Sequence, residues 1–375
     1  MTHNMIKPLT IALLAGTAAL VHIPSASAEV DVHLRTFYLY RDFDGDNTEH
    51  REALTQALHL NYYAPITDSI SVGASAYFNA RIYDDGDSHL TGLLTTENAE
   101  GYAKLGQIYA DFSLTDITTL RVGRWITGTP LFNDSDSRAT PSSTQAIKLT
   151  SLYKNGQAYL MYSDRAVSKT GSHFKKYEDS NGDDYGVAII GGDYVLDNGV
   201  SFVAAYGDAD DYKQQLYFNV GMPIGDSSKV ALHHYHGEGD GANAAFDSDL
   251  TNLVASYVFE DLKLTIGYQT VSGDSGYDYL WGGEDDNGLQ TSNSVQILDF
   301  NRLDEDSWLI RADYQVAAVP GLGVMARHTW GDYAQGILKV DESETNVEMA
   351  YTIAGGTLEG MSLRFESISC GRGCL

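Results

Sequence analysis

ISVGASAYFN, residues 70–79, decides the fold. In an extended chain successive side chains point to opposite faces, so Ile70, Val72, Ala74, Ala76 and Phe78 share one side. Ser71, Gly73, Ser75, Tyr77 and Asn79 share the other. The same period of two recurs further on. Leu262, Leu264, Ile266 and Tyr268 oppose Lys263, Thr265, Gly267 and Gln269. Trp308, Ile310, Ala312, Tyr314 and Val316 oppose Ser307, Leu309, Arg311, Asp313 and Gln315, and Val347, Met349, Tyr351 and Ile353 oppose Asn346, Glu348, Ala350 and Thr352. One face is apolar and ends in aromatics; the other is polar or small. The pattern predicts strands throughout.

A soluble sandwich also alternates, so the connections must decide. Short turns fall near 64–68, 114–116, 154–156, 197–199, 223–228, 260–261, 319–321 and 355–360. Longer acidic stretches lie between them, at 83–101, 128–143, 164–185, 237–247, 272–306 and 331–343. Strict alternation of short and long connections is the layout of an outer-membrane barrel, with short periplasmic turns and longer outer loops. A closed barrel also meets the demand that hydrocarbon places on backbone groups, which must all be satisfied internally. The expectation is an all-β, transmembrane antiparallel β-barrel of the 18-stranded type. About 17 strands can be placed, the last over 361–367, and the closing one is missing.

The first residues agree with that compartment. Lys7, an apolar run over 9–21 and Ala26-Ser27-Ala28 read as a secretory signal peptide, residues 1–28, with the mature chain starting at Glu29. The apolar run is too short for a membrane helix, which needs roughly 20 residues. The rest, 29–375, reads as one domain: Gly (37) and Tyr (25) are plentiful, Pro (7) is scarce and no linker divides it. A net charge of −27 argues against nucleic acid, which demands a basic footprint. The acids gather at 84–87, 178–184 and 284–286, where like charges are expected to stay in water as loop surface. Cys370 and Cys374 are too close to staple anything and lack the partners of a zinc site.

Several motifs, in order, resemble the OprD-like family of substrate-specific porins, which includes the chitoporins. Leu34-Arg35-Thr36-Phe37-Tyr38-Leu39-Tyr40-Arg41-Asp42 is similar to that family's opening LRNFYFNRD. Tyr102-Ala103-Lys104-Leu105-Gly106 and Leu120-Arg121-Val122-Gly123 resemble its fourth and fifth strands. Pro130-Leu131-Phe132, Asp136-Ser137-Arg138 and Pro141 match its third loop, and Val324-Met325-Ala326-Arg327 and Leu358-Glu359-Gly360-Met361-Ser362-Leu363-Arg364 fit near the end. The resemblance implies a third loop, about 128–143, folded into the lumen as an eyelet, and a ladder of basic residues along the inner wall.

Parity supplies the ladder independently, because a charge is tolerable at membrane depth only on a water-filled face. Arg121, Lys148, Arg311 and Arg364 each sit between two outward apolar residues, and Arg327 shares its face with Met325 and Thr329. The resemblance adds Arg41 on the first strand and Arg138 in the third loop; Asp134 and Asp136 are candidates for the eyelet's opposing wall. In this family the chain ends on a closing strand with a terminal aromatic, whereas here it ends Ile368-Ser369-Cys370-Gly371-Arg372-Gly373-Cys374-Leu375.

Other motifs carry little. Gly273-Asp274-Ser275-Gly276 has the letters of a serine nucleophile without a placed base. In His233-His234-Tyr235-His236 only His234 and His236 share a strand face, short of a zinc ligand set. Asp42, Asp44 and Asp46, like Asp179, Asn181 and Asp183, lack the twelfth-position glutamate of a calcium loop. No metal, cofactor or catalytic residue is expected. The reading is a porin of the Gram-negative outer membrane for passive, selective diffusion of amino acids, peptides, organic acids or oligosaccharides. The alternatives are a plugged structural or adhesive barrel and an outer-membrane barrel enzyme. Expected partners are small solutes, outer-membrane lipid and lipopolysaccharide, periplasmic chaperones and the barrel assembly machinery, with monomer and homotrimer both open.

Overall fold

The computed structural model describes residues 10–17, 28–41, 49–336 and 338–371. Its strands are β1 (Thr10–Thr17), β2 (Glu29–Arg41), β3 (Arg51–Thr67), β4 (Ile70–Gly86), β5 (Tyr102–Ser113), β6 (Thr118–Trp125) and β7 (Ser143–Tyr153). They continue as β8 (Gly156–Val167), β9 (Lys175–Glu178), β10 (Asp184–Tyr185), β11 (Val187–Val195), β12 (Ser201–Ala209), β13 (Lys213–Ile224) and β14 (Ser228–Gly239). β15 (Asp247–Phe259), β16 (Leu262–Gly273), β17 (Asp306–Gln315), β18 (Leu322–Gln335), β19 (Leu338–Thr352) and β20 (Ser362–Cys370) complete the sheet. Each pairs antiparallel with its neighbour, and β8 pairs β11 directly because β9 and β10 form a small hairpin off the wall. Helix is confined to two single 3₁₀ turns among the described residues, and no helix is long and apolar enough to cross a membrane.

Setting aside β1 and the β9–β10 hairpin, seventeen strands make the wall among the described residues, the number expected from alternation. β2 and β20 run in the same direction, so one opposed strand is needed between them. In the structure Thr10–Thr17, the centre of the expected signal peptide, lies antiparallel to both. Residues 42–48 and 372–375, with the first aspartate run and Cys374, lie outside the described residues. Cys370 is disulfide-bonded.

The apolar faces point outward. Phe78, Leu105, Ile147, Ile190, Leu253 and Ile266 are all large and exposed, a distribution that water would punish and lipid rewards. Tyr62, Tyr153, Tyr194, Tyr257 and Tyr314 ring the short-turn end at the level where amphipathic rings suit a membrane interface. The packed core is inside the barrel. One cluster surrounds Phe132, Tyr177, Tyr217, Tyr235 and Trp281, and a second joins Phe37 and Leu39 to Leu93, Leu94 and Ala139. Side chains from the loops meet the inner wall in both.

Two connections depart from the strict alternation of lengths. Residues 210–212 join β12 to β13 at the outer end by a tight turn. The stretch 331–343, read as an acidic loop, is instead the head of the β18–β19 hairpin. Tyr333 and Val340 are buried on the inner face, Lys339 pairs with Asp332 across the ladder at 2.9 Å, and Gly336 takes the positive φ of +64° that the turn requires.

Candidate channel constriction

Three long connections, 87–101, 126–142 and 274–305, turn into the barrel. The middle one is built around Asp134. Its carboxylate accepts from the Thr127 backbone N–H at 2.7 Å and from the hydroxyls of Thr127, Ser142 and Thr144 at 2.8, 3.0 and 3.0 Å. Burial pushes the Asp134 carboxyl up, and these four donors pull it back. Asp134 is therefore a strut of the loop's own fold, not a face offered to solute. Asp136 is exposed and held by Arg35, whose guanidinium donates to both carboxylate oxygens at 2.6 and 3.0 Å and to the Arg138 carbonyl at 2.7 Å. His59 Nε2 donates to the Ala139 carbonyl at 2.8 Å, and the Tyr102 and Thr140 hydroxyls lie 3.1 Å apart. The loop is pinned across the lumen to β2, β3 and β5.

The loop 274–305 packs onto it from the opposite wall. Trp281 is fully buried, with its ring 6.0 Å from Phe132 and its Nε1 donating to the Leu131 carbonyl at 2.7 Å. Asn133 and Gly288 exchange two hydrogen bonds at 3.1 and 3.0 Å. On the wall side, Glu344 accepts the backbone N–H groups of Gln296, Ile297 and Leu298 at 3.0, 3.1 and 2.9 Å. Lys213, fully buried, donates to Asp278 and to the Leu280 carbonyl. The acids at 284–286 are not solvated surface. Glu284 pairs with Lys175 at 2.6 Å, Asp286 with Lys169 at 2.5 Å, and Asp285 accepts from Trp281 N and Asn287 Nδ2, both at 2.8 Å. Complete burial pushes the Asp285 carboxyl up to about 8. Like-charge repulsion sends acids to water only when no folded partner awaits them; here lysines and backbone donors do.

The wall cations fall into two groups. Arg121 is bidentate to Asp111 at 2.6 and 2.7 Å and stacks on Tyr109, Arg311 is bidentate to Asp313 at 2.8 and 2.6 Å, and Arg364 pairs with Glu348 and, at 3.6 Å, Glu366. Their charge is compensated on the spot. Lys148 lies over the Tyr159 ring at 4.5 Å, and Arg327 donates to Asn346 at 2.7 Å. Arg41 and Arg138 form no ion pair among the described residues. Arg41 faces Arg51 across the β2–β3 ladder and lies within the field of Arg138. Burial lowers the Arg138 guanidinium from its usual range while Asp286 and Glu366 support its charge, which an arginine keeps at physiological pH.

The structure thus brings Arg41, Arg138 and Asp136 together on one side of the lumen and spreads Arg121, Lys148, Arg311, Arg327 and Arg364 along the wall. Arg35, His59 and the whole anchoring set of 274–305 were not selected from sequence. Arg35 was in reach: it shares its parity with Arg41 and with the inward Phe37 and Leu39. Of the remaining motifs, His233 points inward to Tyr217 at 2.8 Å, while His234 and His236 share the outer face beside Asp249. Ser275 donates only to the Asp247 carbonyl at 3.3 Å, and Asp179 caps the β9–β10 turn through Asn181 N and Asp183 N.

A wall with apolar exterior, polar interior and loops drawn across the lumen defines a channel-forming barrel of the porin class. Residues 26–373 match the family model of OprD outer membrane porins, and the chain belongs to that family. Porin D of Pseudomonas aeruginosa is 26% identical over 90% of this chain and 84% of its own length. Among solved structures, OccK9 (OpdG) of P. aeruginosa superposes with a TM-score of 0.78 at 18% identity over 98% of both chains. OccAB4 of Acinetobacter baumannii does so at 0.76 and 19%, covering 97% of this chain and 98% of that one. OccK2 (OpdF) of P. aeruginosa, solved in complex with glucuronate, gives 0.74 and 17% over 99% of both. The chain is a substrate-selective porin of the Gram-negative outer membrane.

Proposed function

We propose that selection occurs where Arg138 and Arg41 face the passage beside the third loop, and that the favoured solute is small, with a single carboxylate on a hydrogen-bonding body. The observation that carries this is the contrast in pairing. Arg121, Arg311 and Arg364 are neutralised by adjacent acids, and Lys148 and Arg327 are held by Tyr159 and Asn346, whereas Arg41 and Arg138, close to each other, form no ion pair among the described residues. In a narrow pore such a charge sets selectivity. A relative's complex with glucuronate supports a sugar acid as the type of solute. Transport is diffusion and the chain does no catalysis. It acts in contact with outer-membrane lipid and lipopolysaccharide, after handover by periplasmic chaperones to the barrel assembly machinery, and starts at Glu29 once the signal peptide is removed.

The test is single-channel recording in planar bilayers with glucuronate or a glucosamine oligomer added. Transient block by glucuronate, weakened in Arg138→Ala, is the expected result. Block by the cationic sugar alone would assign the selecting role to the chain's surplus of acids, a net charge of −27 over the whole sequence, instead.

A further inference from the structure

We propose that His50, Glu52 and Asp85 form a binding site for a divalent transition ion of the zinc class, on the outer face of the barrel at its long-loop rim. One ligand atom from each lies within 4.8 Å of the others: His50 Nε2 is 3.4 Å from Asp85 Oδ2 and 4.0 Å from Glu52 Oε2. A tetrahedral ion with bonds of about 2.0–2.1 Å holds its ligands roughly 3.3 Å apart, so side-chain adjustment alone completes the set. One imidazole and two carboxylates suit zinc better than calcium, which prefers an all-oxygen shell.

Two features beyond proximity point to a cation. Glu52 and Asp85 are direct partners across the β3–β4 ladder, where like charges repel, and neither has a lysine or arginine ion pair among the described residues. The second oxygen of each carboxylate is already engaged. Tyr38 Oη donates to Glu52 Oε1 at 2.6 Å, and Gly86 N donates to Asp85 Oδ1 at 2.9 Å, leaving Oε2 and Oδ2 turned toward the imidazole. Such outer partners orient metal ligands. The backbone fixes the rest: Asp87 N bonds the His50 carbonyl at 2.9 Å, and Gly86, at φ +57°, passes so near that carbonyl that a Cβ would sit 2.1 Å from it. Bound there, the ion clamps the outer ends of β3 and β4 and keeps at least one coordination position open to water.

The experiment is zinc titration of the full chain in detergent micelles by calorimetry, under non-reducing conditions, with Co²⁺ absorption as a second readout. Wild type should bind one zinc saturably with ligand-field bands for Co²⁺. His50→Ala and Asp85→Asn should each abolish that event, and Tyr38→Phe should weaken it about tenfold. His236→Ala, in the other histidine–acid group, should leave it intact. Absence of saturable binding in wild type, or binding unchanged in both His50→Ala and Asp85→Asn, would overturn the proposal. Asp85→Asn keeps the test decisive if His50→Ala fails to fold, because Asp85 is an exposed rim residue.

Discussion

Two arginines that look alike in sequence do opposite work. Arg35 holds the third loop, bridging Asp136 and the Arg138 carbonyl, while the Arg138 guanidinium donates to the Ser137 carbonyl at 2.9 Å and is the one proposed to face the passage. Arg35→Ala should therefore free the loop: single-channel conductance should rise by about twofold with more open-channel noise, since removal of a pinned constriction widens the pore. Anion preference should persist, because Arg138 and Arg41 remain. Arg138→Ala should instead shift the reversal potential toward cations in a salt gradient. Indistinguishable selectivity in the two variants would remove the division of labour. Parity in sequence reported which way each wall cation points. It could not report what each one meets, because Asp111 and Arg121 are joined by strand register, and Arg35 and Asp136 across the open lumen. For the same reason Asp134 was legible as a third-loop acid but not as its internal strut.

The loop 274–305 is the element that sequence hid. Its acids advertise solvent, yet Trp281, Asp285 and Phe300 are buried against the wall and the third loop. Strands announce themselves by period, whereas an inward loop has no period, and its anchors come from residues such as Glu344 and Lys213 on distant strands. Trp281→Ala removes a buried indole and should cost the docked loop on the order of 3 kcal/mol, exposing new cleavage sites within 274–305 to limited proteolysis. The docked loop should also titrate. The Asp285 carboxyl, held at about 8 against about 4 in an open chain, binds in the docked state a proton the undocked state releases. Its contribution is full below pH 4, declines by up to about 1.4 kcal/mol per pH unit above that, and is lost as pH passes 8. Asp134 and Asp286 lie close enough to oppose the charge and Lys213 to favour it. Gating noise should rise from pH 4 to pH 8, level off above that, and be flattened in Asp285→Asn, which mimics the protonated acid. An identical pH profile in that variant would move the titration to Glu305, whose carboxyl burial and the neighbouring Glu342 also raise.

At the scale of the whole barrel, the direction of the strands sets a constraint that no local feature can relax. β2 and β20 are parallel, so they cannot pair antiparallel with each other, and seventeen wall strands leave one antiparallel place between them. Hydrocarbon does not tolerate the unpaired backbone edges that an empty place leaves. In the structure Thr10–Thr17 fills it with seven paired positions on each side. Residues 29–375 lack that segment, so a channel that starts at Glu29 needs another strand in that place, and these residues refolded alone into micelles should migrate as unfolded on unheated gels and conduct unstably. Supplying an antiparallel strand of alternating apolar residues after β20 should restore heat-modifiable migration and steady open levels. Stable conductance by the 29–375 chain without such a strand would show that the wall closes by another pairing, and would put the parallel placement of β2 and β20 in question.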